Sequence, residues 1–153
     1  MSQAPDHRGK GSATGILRSF VGQLLTDRKS AEGFQLDFID KEYLRRIRTG
    51  DFETLRKLFV RLLLQLATHK VTVFCFIDSI TYLEILELRE DTDKLLATLR
   101  RQKWVTPDCN MVFKLLVTDG QATSYAYKHF EGSEVIEMNR YHDGNDDNTL
   151  NLG

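Results

Sequence analysis

Val71-Thr72-Val73-Phe74-Cys75-Phe76-Ile77-Asp78 is the stretch whose reading decides the fold of this chain. The run carries no charge until its last residue and is rich in β-branched and aromatic side chains. Its length and its lack of polar alternation predict a strand covered on both faces, as in a parallel α/β sheet. It ends in an acid, and in open α/β sheets ligands bind beyond the carboxyl ends of the strands. A carboxylate there is placed to hold magnesium, which takes hard oxygen ligands and often needs only one or two carboxylates beside phosphate and water. Asp78 therefore has two readings: a metal-holding carboxylate, or the cap of the turn Asp78-Ser79-Ile80.

Upstream of this run the pattern is helical. Ile16, Leu17, Phe20, Val21, Leu24 and Leu25 recur at spacings of three and four, with Ser12 as the N-cap. A polar stretch from Thr26 to Gly33 separates that helix from one around Asp40 to Thr49. Gly50 then suits a C-terminal stop and Asp51 a fresh N-cap. The helix from Phe52 to about Thr68 has the broadest apolar stripe, formed by Leu55, Leu58, Phe59, Leu62, Leu63 and Leu66.

Downstream, Leu95, Leu96 and Leu99 mark a helix from about Thr92 to Gln102. A second apolar run follows, Met111-Val112-Phe113-Lys114-Leu115-Leu116-Val117-Thr118. Asp119-Gly120 turns the chain into a short helix over about Gln121 to Phe130. Glu134-Val135-Ile136-Glu137-Met138 is a third, weaker strand candidate. The expectation is an α/β fold with a small, mostly parallel three-stranded sheet flanked by helices. Residues 1–12 read as a flexible lead-in, 13–138 as one domain, and 139–153 as a disordered tail rich in Asn, Asp and Gly.

Composition narrows the function classes. The chain has 153 residues, 41% hydrophobic and 28% charged, which suits one globular domain with a real core. A formal charge of −1 lacks the basic excess of a general nucleic-acid binder, and no apolar run reaches the ~20 residues that span a bilayer. Cys75 and Cys109 form no C-x-x-C pair and read as reduced thiols of an intracellular, cytoplasmic protein. His7, His69, His129 and His142 show no zinc-ligand spacing. Arg45-Arg46-x-Arg48 and Arg100-Arg101-x-Lys103-Trp104 read as cations at helix C-termini, where they complement the dipole. Asp143-x-Asn145-x-Asp147 begins like a calcium loop, but Asn148 stands where the loop needs glycine and no acid occupies the twelfth position.

If the two apolar runs are neighbouring strands, Thr118 and Asp78 share one edge of the sheet. Thr118 then either senses a phosphate or holds a water there, or merely ends a strand before the Asp119-Gly120 turn.

Three segments in order carry a family resemblance: Ile16-Leu17-Arg18-Ser19-Phe20-Val21-Gly22-Gln23-Leu24-Leu25, the strand ending in Asp78, and Phe113-Lys114-Leu115-Leu116-Val117-Thr118. Together, over residues 16–138, they resemble the C-terminal half of a STAND-class P-loop NTPase module of the NACHT or nephrocystin-like kind. The resemblance implies that Asp78 matches the Walker B aspartate, which helps hold the magnesium of Mg-ATP or Mg-GTP, and that Thr118 matches the polar residue ending the sensor strand. Thr81 and Tyr82 stand where the family often has further acids, so Glu84 is the candidate catalytic acid. Asp119 and Gly120 replace the residues that often follow the sensor strand.

The phosphate loop G-x-x-x-x-G-K-[ST] cradles phosphates with backbone N–H groups and a lysine. Arg8-Gly9-Lys10-Gly11-Ser12 has the wrong spacing for it. The expectation is a partial or degenerate module, non-catalytic alone and without a resident cofactor, which acts through protein partners or self-association. The resemblance leaves two alternatives: half of a working ATP- or GTP-binding NTPase whose phosphate loop comes from a longer gene product or a partner chain, and a protein-interaction domain without nucleotide.

Overall fold

Ser12 starts the first helix by accepting the Gly15 N–H on its side-chain oxygen at 3.1 Å, and α1 runs over Ala13–Thr26. The computed structural model describes residues 12–27, 33–83, 88–102, 110–119 and 125–136. Helix α2 covers Lys41–Thr49 and α3 Phe52–Leu66, each opened by an aspartate: Asp40 accepts the Tyr43 N–H at 2.7 Å and Asp51 the Thr54 N–H at 2.8 Å. Such caps satisfy N–H groups that a helix leaves orphaned at its start. Gly50 ends α2 in the left-handed region at φ 80°, the conformation in which glycine carries no Cβ penalty. The Arg18 guanidinium of α1 donates to the carbonyls of Ile47 (3.0 Å) and Arg48 (2.8 Å), which ties α1 to the end of α2.

The α3 stripe expected from the sequence is the centre of the core. Leu55, Leu58, Phe59, Leu62 and Leu63 are essentially inaccessible, packed with Leu17 of α1 and with Leu95, Leu96 and Leu99 of the helix α4, Arg89–Gln102. Full burial of each such side chain stabilises the fold by about 1.5–3 kcal/mol. Phe20 and Phe59 meet as a tilted pair with centroids 5.8 Å apart.

Strands β1 (Thr72–Ile77) and β2 (Val112–Val117) pair in parallel, Thr72 opposite Val112 and Ile77 opposite Val117. Helix α4 lies in the connection between them, as parallel pairing requires a long crossover.

Two expectations need correction. The sheet has two strands among the described residues, not three. Glu134 belongs to a short 3-10 turn, Gly132–Glu134, and Val135 and Ile136 pair with no strand. The Glu134 carboxylate reaches back to the Glu131 N–H at 3.1 Å and pairs with Arg100 at 3.1 Å, so the chain turns where it was expected to extend. Glu137 and Met138 lie outside the described residues, as do most of the predicted flexible lead-in and all of the tail. The predicted short helix after β2 is observed as a 3-10 segment, Tyr125–His129; its first expected turn also lies outside the described residues.

The second correction concerns burial. β1 and β2 are covered on one face only: Cys75 and Ile77 are buried and Phe113, Leu115 and Val117 pack against the core, while Phe74, Phe76, Val112 and Leu116 are about half exposed or more. No helix among the described residues is long and apolar enough to cross a membrane.

Candidate functional site

Parallel register brings Asp78 and Thr118 together just beyond the paired ends of β1 and β2. Thr118 is the pivot of the junction. Its N–H donates to the Ile77 carbonyl at 2.9 Å and so continues the ladder, and its own carbonyl accepts the Ile80 N–H at 3.0 Å. Its hydroxyl donates to Asp78 Oδ1 and accepts the Ser79 N–H at 3.0 Å. Ser79 achieves this with φ 57°, the one positive φ at a non-glycine residue among those described. Such a backbone is unfavourable for an L-residue with a side chain and persists only when its surroundings hold it. Fully buried Ile80 anchors the far side of the turn, at the start of the 3-10 segment Ile80–Leu83.

The result is an exposed carboxylate steered by a half-buried threonine at the carboxyl end of two parallel strands. Chemically it can offer a carboxylate oxygen to a hard cation, while the single proton of the Thr118 hydroxyl is already given to Asp78. It is not a cage: no group of three or more His, Cys, Asp or Glu side chains suited to a metal ion occurs among the described residues. Thr81 and Tyr82 fall in the 3-10 segment after the turn, and Glu84 lies outside the described residues.

The other sequence candidates find structural roles. Arg100 donates to the His129 carbonyl and pairs with Glu134, and its guanidinium lies 5.7 Å from the Phe130 ring centroid. Asp93 accepts from Lys128 at 2.8 Å and from His129 Nε2 at 2.7 Å. These contacts clip residues 128–134 onto α4. Arg45 and Arg46 both bond to Glu42, and those hydrogen bonds hold its carboxyl down at about 2. Arg45, Arg46 and Arg100 are thus committed to contacts within the chain, and Lys103 and Trp104 lie outside the described residues.

A second candidate surface has no counterpart among the sequence expectations. Phe74 and Phe76 stack on the outer face of β1, with centroids 6.3 Å apart and planes 12° from parallel. Beside them stand Val112 and Leu116, and Lys114 lies with Nζ 5.5 Å from the Phe74 centroid. The signal was Lys114 itself. A lysine inside an apolar strand marks the wet face, and by period two its parity assigns Val112 and Leu116 to that face. Parallel register then carries the assignment to Phe74 and Phe76.

No family model matches the sequence, and no curated protein and no solved structure matches it.

Proposed function

We propose that this chain is a protein-interaction module built on part of a STAND-like P-loop NTPase framework, without nucleotide turnover of its own. The observation that carries this reading is the uncovered sheet face of Phe74, Phe76, Val112 and Leu116, each about half exposed or more. Helices lie against one side of a parallel pair whose sequence suits burial on both. Covering the exposed parts of these four side chains would contribute about 3–6 kcal/mol toward association. The partner fitting this face presents an apolar row with an acid opposite Lys114.

The test is cross-linking in cells against a charged variant of the face, Phe76→Lys with Leu116→Lys, which should remove a defined partner set. Leu64 is similarly exposed but sits on α3, so Leu64→Lys is the control that should keep that set. Identical partner sets for wild type and the face variant would refute the reading, provided both fold.

The hydrogen-bonded Asp78–Thr118 pair favours a second reading, in which the chain is half of an ATP- or GTP-binding site. Asp78 would hold the magnesium and Thr118 would orient it, with the phosphate loop contributed by another segment or chain. Mg-ATP and Mg-GTP titrations of the purified chain together with an added strand–loop–helix peptide carrying G-x-x-x-x-G-K-[ST], with Asp78→Ala as comparison, separate the two. Binding that the substitution abolishes would establish the nucleotide site, and binding that is absent or unchanged would remove it for this chain.

A further inference from the structure

The edge of β1 away from β2, unpaired among the described residues, borders a cleft of about 620 Å3 whose wall includes Val71, Thr72, Val73, Phe74 and Cys75 in unbroken succession. Its opposite side is helical: Phe20 and Leu24 of α1 and Phe59 of α3, with Phe34 beside them. Phe20, Leu24 and Phe34 are only partly buried although they pack on the core. Gln65 fixes Phe34 there, accepting the Gln35 N–H at 2.7 Å and donating to the Gln35 carbonyl at 3.2 Å. The helices thus extend sideways beyond β1 and leave apolar surface that no strand among the described residues roofs. Neighbouring strands lie about 4.8 Å apart, so one more strand beside β1 occupies this space.

The backbone of β1 is prepared for it. The Val112 N–H donates to the Val71 carbonyl and the Thr118 N–H to the Ile77 carbonyl, both at 2.9 Å. In a parallel ladder of that phase the odd-numbered residues of β1 bond to β2. The N–H and C=O groups of Thr72, Phe74 and Phe76 then point toward the cleft side, as a row of donors and acceptors open to pairing.

We infer that the β1 edge accepts an extended peptide segment of a partner protein as an added strand, which deepens the interaction reading above and rests on it. The occupant has defined chemistry. Alternate side chains descend toward Phe20, Leu24, Phe34 and Phe59 and must be apolar. The intervening ones lie beside Phe74 and Phe76, so β-branched residues suit both rows. Lys70, exposed at the start of β1, and Asp27 both line the cleft; Asp27 is already engaged, so Lys70 is the charge the segment meets and an acid suits the end lying there. A second copy offering its own β1 fits less well. Its inward-facing Val73, Cys75 and Ile77 are already packed on its own core, so they would not cover the helical wall.

The probe is a fluorescein-labelled peptide, Asp-Thr-Val-Val-Ile-Val-Thr, titrated into the full chain with amide exchange followed by NMR. Binding should slow exchange at Thr72, Phe74 and Phe76 at least tenfold, while Val73, Cys75 and Ile77, already bonded to β2, change little. N-methylation of alternate peptide residues should weaken binding about tenfold or more in one phase and leave it unchanged in the other, because only one edge of the peptide meets β1. Lys70→Glu should weaken the aspartate-headed peptide about fivefold and leave an asparagine-headed one within twofold. Phe74→Pro removes an edge donor without touching the β2 ladder and should abolish binding.

No binding at millimolar peptide, or binding without protection of the even-numbered amides, overturns the proposal. So does a wild-type dimer, seen by light scattering, that Phe74→Pro converts to monomer and Phe76→Lys leaves intact, since a second copy then occupies the edge. The probe needs no natural partner, so its outcome is separate from that of the cellular cross-linking. A lost partner set with an unprotected edge would keep the interaction reading and sink only this one.

Discussion

Thr118→Val probes the Asp78 junction with the least change of shape, replacing the hydroxyl by a methyl group. The hydroxyl makes two bonds, one to the Asp78 carboxylate and one from the Ser79 N–H. A hydrogen bond to a charged group contributes about 1.5–3 kcal/mol and a neutral one about 1 kcal/mol. Asp78 is exposed and Thr118 half-buried, so water recovers part of the charged bond and about 1 kcal/mol is the appropriate share. The expected cost of Thr118→Val is therefore about 2 kcal/mol, and that of Asp78→Ala about 1 kcal/mol. The double variant should lose only about 2 kcal/mol, since the shared bond disappears once.

Urea midpoints at constant slope measure all three losses. The cycle then yields a coupling of about 1 kcal/mol, above the 0.3–0.5 kcal/mol within which independent sites add. In thermal melts the Thr118→Val loss corresponds to about 4–8 °C at 2–4 °C per kcal/mol for a chain of this size. Additive losses, with the double variant near 3 kcal/mol, would mean that hydroxyl and carboxylate act separately, and the site would then be two strand ends and not one constellation.

Gly50→Ala places a Cβ at φ 80° and 3.1 Å from Arg18 Nη2, so it should cost about 1–2 kcal/mol and loosen the α1–α2 tie; an unchanged urea midpoint would contradict this. Leu62→Ala removes a fully buried side chain and should cost about 2–5 kcal/mol, whereas Leu64→Ala on the exposed side of α3 should stay within about 0.5 kcal/mol; comparable losses would refute the placement of the core. Burial pushes the Cys75 thiol up to about 12 from an ordinary 9.0, so in a Cys109→Ser background it should react with a disulfide reagent at pH 8 only as fast as the chain opens. The sign for stability follows: the unfolded thiol releases its proton first, so this group's contribution falls as pH climbs from 9.0 toward about 12, and Cys75→Ala should remove that part of the alkaline slope.

The helices were legible because their signals are local. Asp40, Gly50 and Asp51 occupy the cap positions their chemistry suits, and the α3 stripe follows a period that no distant contact needed to override. The two strands and their parallel pairing were legible from uninterrupted apolar runs joined by a helix, and that pairing placed Thr118 against Asp78. What failed depended on partners distant in sequence. The third strand candidate has a β-rich core of Val135 and Ile136, but Glu134 answers to Arg100, thirty-four residues earlier, and the segment turns. Coverage of both faces of β1 failed for a related reason. An apolar run states that a face could be buried, and only the helices present decide whether it is. The backbone of Ser79 carries no sequence signal, because its left-handed geometry is imposed by Thr118 from the neighbouring strand.

β1 divides its residues among three tasks by parity and position, and this decides how function must be tested. Cys75 and Ile77 point into the core, so changes there act on folding and report association only indirectly. Phe74 and Phe76 point away from it: their side chains form the uncovered face, and by the phase of the ladder their backbone groups form the edge away from β2. A side-chain charge such as Phe76→Lys disturbs the face and leaves the edge donors in place, while Phe74→Pro removes a donor and much of the face together. Asp78 stands past the last ladder residue and can be changed without entering either set. An effect of Asp78→Ala on partner binding as large as that of Phe76→Lys would therefore mean that the strand end and the face serve one ligand. Independent effects would mean two. The double-mutant cycle between Asp78 and Phe76, read on partner affinity, separates these cases, since residues without shared contacts should add.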